Sequence, residues 1–320
     1  MGNKFSNEIK RSLEYGDTSG VLIQPEVDQI IAEIIEYKNP LRQNIPRKKR
    51  SSDAWLLNRR TTAAANTVSQ WVTDIAEPDI DRSNTDRVSF QFRTMLARGK
   101  VTRFAQDAGR SYKDILAEEI ETRARAFRDM EESAMFYGDN SVNSAQPDGL
   151  DTLITGAQRI PQSTDLAGGN FTLAKMDEAV DACAGAPDVI VTSKAGRRKI
   201  NAALQSQQRW VDSIEVKGGF RVMSYDDIPV FASTNVANDR YHDGTQSYTT
   251  VGATGDTTNV YVVDTNEFWV GMMNDVTISP LSKTSSQFDQ FDIYEDVAFV
   301  MRSTIHHATL EGVNAAVNDA

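Results

Sequence analysis

The chain has 320 residues and a mass of 35.5 kDa, enough to bury a sizeable core in two domains or in one domain with extensions. Apolar residues are 40% and charged residues 25%, an ordinary globular balance, and the net charge of -11 excludes a surface built to wrap nucleic acid throughout; any DNA contact is confined to a local patch. The single cysteine, Cys183, excludes an internal disulfide framework.

No apolar run approaches the roughly 20 residues that span a bilayer, so no membrane partner is expected. The N-terminus "MGNKFSNEIK" lacks a signal-peptide apolar region, and the chain reads as cytosolic or assembled in a cytosol. Met1, Gly2 and Ser6 match a short acylation pattern that is frequent by chance.

Residues 1–60 read as an arm. "PEVDQIIAEIIEYKNPLRQ" carries Val27, Ile30, Ile31, Ile34 and Ile35 at helical spacing, with Pro40 as the predicted stop. The following "IPRKKRSSDAWLLNRR" reads as basic and irregular. Its run Arg47, Lys48, Lys49 and Arg50 suits phosphates or the acidic residues of a neighbouring chain, and an intersubunit or lumenal role is the favoured expectation.

Residues 61–104 predict a long two-stranded hairpin with a wide tip. "NTVSQWVTDI" is rich in β-branched and aromatic residues, and "EPDIDRSNTD" is a polar turn cluster. "RVSFQFRTML" puts Val88, Phe90 and Phe92 on one face and Arg87, Ser89, Gln91 and Arg93 on the other. The apolar row, with Trp71, Ile75 and Ile80, must pack either on its own core or on a neighbouring subunit.

The longest predicted helix follows, with Ser111 as N-cap and Asp114 completing a capping box. Tyr112, Leu116, Ile120, Ala124, Phe127, Met130 and Ala134 recur at three and four up to about Tyr137. Glu118, Glu121, Arg125, Arg128 and Glu132 form a stripe expected to be solvated or intersubunit. Gly138 is expected in the left-handed C-terminal position, and Pro147 and Gly149 form the structural turn that restarts the chain.

After Leu150 short elements alternate: a helix capped by Thr172, a buried strand "PDVIVTS", a helix "KAGRRKINAALQ", a hairpin "GGFRVMSYDDIPVFAST" and further strands to Ser282. This predicts an α/β-type domain. The tail returns to strand character with Val297, Phe299 and Met301 alternating.

No catalytic, cofactor-binding or metal-ligating constellation is predicted. His306 and His307 are adjacent in a predicted strand and would face opposite ways; His242 stands apart. Cys183 reads as a small core residue. "DIDRSNTD" starts like a calcium loop but has Asn84 and Phe90 where the loop needs glycine and glutamate. "GATGD" has the wrong spacing for a phosphate loop. The pairs Asp226–Asp227 and Glu131–Glu132 are of a kind usually solvated.

In this order the elements resemble the major capsid protein family of tailed double-stranded DNA bacteriophages, with the Hong Kong 97-type fold. "RARAFRDMEESAMFYGDNSVNSAQPDGL" is similar to that family's spine helix and the passage into its axial domain. "DVIVTSKAGRRKINAAL" resembles its strand followed by a helix. "GGFRVMSYDDIPVFAS" resembles its Gly-x-Pro-Val hairpin, with Asp227 where glycine is usual.

The resemblance implies an α+β chain with an N-terminal arm at 1–60, an extended loop at 61–104, a peripheral domain at 105–149 and 276–320, and an axial domain at 150–275. It implies a non-enzymatic subunit that builds hexamers and pentamers of an icosahedral shell around double-stranded DNA, bound by weak non-specific contact. Scaffolding and portal proteins are implied partners, with a decoration protein as a further one, and assembly in the host cytoplasm. Trp71, Ile75, Ile80, Val88, Phe90 and Phe92 would then make intersubunit contacts. The chain has no lysine between Arg50 and Gly99, so the isopeptide crosslink of one branch of the family is not expected. No long acidic or helical prefix precedes the arm, which favours a separate scaffolding protein. An encapsulin-like compartment is the alternative within the fold, and a soluble α/β enzyme the alternative outside it.

Overall fold

The computed structural model describes residues 39–62, 84–109, 114–162, 169–206, 213–216, 220–238, 240–242, 248–250, 257–281 and 287–315. The predicted helix at 25–38 lies outside them, as do the hairpin tip with Trp71, Ile75 and Ile80, Ser111, most of the calcium-like loop, and "GATGD".

Pro40, expected to close a helix that lies outside the described residues, opens one. In α1 (Pro40–Asn44) the proline sits in the first turn, where its missing N–H is no loss. The stretch expected to be irregular forms two strands, β1 (Arg47–Lys49) and β2 (Ala54–Thr62). β2 pairs antiparallel with β3 (Asn84–Gln91), so the hairpin begins inside the predicted arm. The ladder breaks at Phe92, and β4 (Arg93–Thr102) joins another sheet. The inward positions are even in β3, with Val88 and Phe90, and odd in β4, with Met95, Ala97 and Val101, so the phase of the pattern shifts where the strand changes partner.

After α2 (Arg103–Gly109) comes the long helix α3 (Ile115–Tyr137), about 35 Å at 1.5 Å per residue. Its N-cap is Asp114, whose carboxylate accepts the N–H of Leu116 at 3.0 Å and of Ala117 at 3.2 Å. Then follow α4 (Leu150–Leu153), β5 (Arg159–Pro161), α5 (Leu173–Asp181), β6 (Val189–Thr192) and α6 (Lys194–Ser206). The strands β7 (Ser213–Val216), β8 (Phe220–Tyr225), β9 (Ile228–Ala232), β10 (Arg240–His242) and β11 (Tyr248–Thr250) come next. The last are β12 (Thr257–Val263), β13 (Phe268–Pro280), β14 (Phe288–Met301) and β15 (Ala308–Asn314).

Among the described residues there are two main sheets. A four-stranded one has the order β1-β13-β14-β4, and a seven-stranded one the order β5-β15-β12-β6-β9-β8-β7. The domain boundary expected near 275 falls inside β13. The C-terminal strand β15, expected in the peripheral domain, pairs with β12 and β5 in the larger sheet.

Each central strand feeds two cores. In β6 and β12, Val189, Val191, Tyr261 and Val263 face the end of α3, while Ile190, Val260 and Val262 lie under α5 and α6. Both faces are covered, which explains the unbroken apolar runs "VIV" and "VYVV". In β13 and β14, Phe268, Val270, Val297 and Phe299 join the same central core, and Trp269, Ala298 and Val300 form a separate patch on the opposite face.

Asp226 and Asp227 make the two-residue turn between β8 and β9 with φ of 49° and 62°. Both are left-handed, as a tight hairpin turn of this hand requires, and aspartate adopts that region more readily than most residues. This is how the motif works without its usual glycine. His306 lies in a 3-10 turn, Thr304–His306, not in the predicted strand.

Candidate functional site: the junction of arm, hairpin and long helix

The Trp269 patch carries the root of the hairpin. Trp55 faces Phe90 across the β2–β3 ladder and Leu57 faces Val88, giving one apolar row. Trp55, Leu57, Phe90 and Phe92 pack against Trp269, Ala298 and Val300. The Trp55 and Trp269 rings meet edge to face at 5.9 Å. Gly271 makes room for this, because a Cβ there would lie 2.9 Å from the Trp55 ring. Arg59 adds a polar clasp by donating from Nε to the Arg302 carbonyl at 2.8 Å and from Nη2 to the Met301 carbonyl. Within one subunit, then, the apolar row at Phe90 and Phe92 covers its own core. Leu56, on the other face of β2, is 47% exposed.

The basic run lies along the surface of the fold, and of its four residues only Arg47 is partly buried. β1 pairs in parallel with the edge of β13, Arg47 opposite Val270 and Lys49 opposite Met272. Lys48 Nζ sits 3.7 Å above the centre of the Trp269 ring, and the Arg50 guanidinium lies 5.0 Å from that of Trp55. Lys49 is exposed. Arg47 turns inward, binds Glu131 of α3, and lies 2.5 Å from Glu295 of β14. Arg42 Nε lies 2.5 Å from the other Glu131 oxygen.

Glu131, Glu132 and Glu295 are fully buried. The expectation that the Glu131–Glu132 pair is solvated, and that Glu132 belongs to an open stripe, is therefore corrected. The signal was available in the helical phase: Phe127, Glu131 and Met135 are spaced at four, so Glu131 lies on the apolar stripe. What the sequence hid was the partner, since Arg42 and Arg47 lie about 85 positions upstream. Glu132 accepts from the Ser233 hydroxyl at 2.6 Å and the Arg42 N–H at 3.1 Å. Burial nevertheless pushes its pKa up to about 7.

The turn after α3 brings together the three residues assigned to it. Gly138 N–H donates to the Ala134 carbonyl at 2.8 Å, and Gly149 N–H donates to the Gly138 carbonyl at 2.8 Å. Gly138 has φ of -57°, so it does not take the expected left-handed conformation. Glycine is needed for closeness instead. A Cβ on Gly138 would run into the Pro147 carbonyl, and one on Gly149 would lie 2.6 Å from the Ala134 carbonyl.

The remaining candidates are structural in setting. Cys183 is buried, its thiol pushed up to about 12 by burial and the nearby Asp264. His307 is buried, accepts the Asp264 N–H at 3.2 Å, and is pushed down to about 4 by burial. Among the described residues no group of three or more acidic, histidine or cysteine side chains could hold a metal ion, and no helix is long and apolar enough to cross a membrane.

A docked arm, a hairpin leaning on one sheet, a long helix ending in a glycine turn and a second, larger sheet define a shell subunit of the Hong Kong 97 type. Solved structures share this fold at low identity. The encapsulin of a holo-SrpI complex from Synechococcus elongatus PCC 7942 aligns at TM-score 0.70 and 9% identity, covering 93% of this chain and 95% of that one. The capsid of an empty GTA particle aligns at TM-score 0.65 and 14% identity, covering 92% and 97%. A chain from Microbacterium phage Oxtober96 aligns at TM-score 0.65 and 15% identity, covering 91% and 96%. No curated protein matches the sequence. The chain belongs to the SU10 major capsid protein family, whose model matches residues 6–314. It is a structural subunit of a capsid shell, with its place in the virion.

Proposed function

We propose that this subunit forms the hexamers and pentamers of an icosahedral shell that encloses double-stranded DNA, and that its role is mechanical rather than catalytic. The observation that carries the reading is the hairpin. Its root is clasped by Trp269 and Arg59, while its strands run on to Thr62 and Asn84. The tip residues Trp71, Ile75 and Ile80 supply the contact with the adjacent subunit. Leu96 and Met130, 55% and 61% exposed beside the cleft between β4 and α3, are apolar side chains for a neighbour to cover. Phe90 and Phe92, with Trp55 and Leu57, hold the hairpin on its own subunit and so set the angle at which the tip leaves, and Val88 beside them is a contact for the neighbour. Of the basic run, Lys48, Lys49 and Arg50 keep their charges at the surface for the lumen or a neighbour. Scaffolding and portal proteins, and a decoration protein, are the further partners of such a shell, assembled in the host cytoplasm.

The second reading is a protein compartment, favoured by the encapsulin alignment. Electron microscopy of the protein expressed alone and with its neighbouring genes, with absorbance at 260 nm on the particles, separates the two. Shells that fill with DNA only when packaging genes are present support the viral reading. Shells filled with one protein favour the compartment, and a monomer that never assembles overturns both.

A further inference from the structure

A capsid shell is assembled from many copies of one chain. The rings proposed above join those copies head to tail, so each copy needs two different patches that complement one another. The seven-stranded sheet carries such a pair. Its strands β6 and β9 run parallel, with Ile190 opposite Val230 and Thr192 opposite Ala232. The turn Asp226–Asp227 enters β9 at one end of this strand pair, and α6 leaves β6 at the other. Ile228 to Ala232 alone rises about 13 Å, at about 3.3 Å per residue, so the two ends stand well apart within one subunit.

The two ends carry opposite charge. From Val189 to Val211 the sequence has Lys194, Arg197, Arg198, Lys199 and Arg209 and not one aspartate or glutamate. Lys194, Arg197 and Arg198, spaced at three and four, are exposed on one face of α6. Arg197 makes no ion pair among the described residues, and Arg198 donates to a neutral acceptor, the Ala315 carbonyl, at 3.1 Å. The helix dipole opposes cations near a helix start, so these charges do not serve α6 itself. At the other end Asp226 and Asp227 are exposed side by side, again with no ion pair among the described residues. Asparagine also adopts φ of 49° and 62° and would spare the turn the repulsion between two carboxylates. The turn thus bears charge that its shape does not require.

We infer that the Asp226–Asp227 turn of one subunit seats against Arg197 and Arg198 of the next, and that this contact repeats around each ring. The occupant of the α6 face is therefore a second copy of this chain. A nucleic acid would neutralise the arginines but repel the aspartates, whereas a second copy satisfies both patches at once. Guanidinium forks also match carboxylates in geometry. Because the patches lie at opposite ends of a parallel strand pair, a copy that fills one presents the other, which gives the contact its direction. The inference rests on the ring-building function proposed above.

Zero-length carbodiimide coupling tests this on particles assembled from mixed light and isotopically heavy subunits. Asp226 or Asp227 should become joined to Lys194, which lies beside Arg197 and Arg198, in peptide pairs with one light and one heavy half. Asp226→Asn with Asp227→Asn, and Arg197→Gln with Arg198→Gln, should each raise the concentration needed for assembly by roughly 2- to 10-fold, the range of two exposed ion pairs. All four changes together should be no worse than either pair alone. Protected amides in β12 show that each variant is folded. Particles that assemble and hold DNA but yield no such peptides, or that couple the two aspartates to a lysine elsewhere, would overturn the inference and leave the proposed function standing. Additive effects of the two variant pairs would overturn it too. A chain that never assembles overturns both.

Discussion

Gly149 donates its backbone N–H to the carbonyl of Gly138 at 2.8 Å, closing the chain on itself just past the long helix. Eleven positions separate them, yet neither has room for a side chain. The first prediction follows. Gly138→Ala and Gly149→Ala should each destabilise the subunit by about 1–3 kcal/mol, because backbone atoms rather than flexible side chains stand in the way. Urea unfolding of the purified subunit measures it. The control Gly156→Ala, at φ of 70° but in open space, should show backbone strain alone.

Arg47→Ala leaves Glu131 with Arg42 alone and takes from Glu295 the only cation paired with it among the described residues. Removing one partner of a buried ion pair typically costs about 3–5 kcal/mol. The same substitution in a Glu131→Gln, Glu295→Gln background should cost much less, and a double-mutant cycle reads the difference. Equal costs in both backgrounds would mean that Arg47 acts through packing.

The hairpin should respond to its seat. Trp55→Ala removes the edge-to-face contact with Trp269 and should cost on the order of 2 kcal/mol. Gly271→Ala should lift the hairpin by crowding the Trp55 ring. Both should speed amide exchange across β2 and β3 while leaving β12 protected. Exchange confined to β13 would place the effect elsewhere.

Two buried groups give opposite pH slopes. His307 is held neutral by burial, so its contribution is complete above about pH 6.5 and drains as pH falls towards about 4. Glu132 has the reverse sign, complete below about 4.5 and lost as pH rises through about 7. Each is worth about 3 kcal/mol at most. Between about pH 4.5 and 6.5 the two offset. Relative to wild type, Glu132→Gln should therefore lose stability on acidification and His307→Gln should gain it. Denaturant midpoints across that range settle the signs.

The extended loop offers arginines, Arg82, Arg87, Arg93 and Arg98, where a covalently welded shell would need a lysine. A guanidinium stays protonated and is a poor nucleophile. Boiled particles should run as a single band of about 35.5 kDa on a denaturing gel. A ladder of multiples would refute the prediction.

Much of this molecule was legible in local pattern. The period of α3 from Leu116 onward, the buried runs of β6 and β12, the restart at Gly149, and the order of elements that points to a capsid subunit all depend on neighbours in sequence, so the sequence by itself determined them. Three features were decided only in the tertiary structure. Phe90 and Phe92 alternate in the same way whether they cover Trp269 or another chain, and only the arrangement of β13 and β14 shows that Trp269 lies beneath them. The basic run has the same composition whether solvated or buried, and β1 turns Arg47 inward because Glu131 and Glu295 converge from a helix and a strand far along the chain. Gly138 looks like a left-handed cap, but its small size serves the passage of Pro147, a contact that exists only once the chain has folded back. Periodicity records which face of an element is apolar; what comes to lie against that face is settled by contacts between residues far apart in sequence, and these carry no local signature.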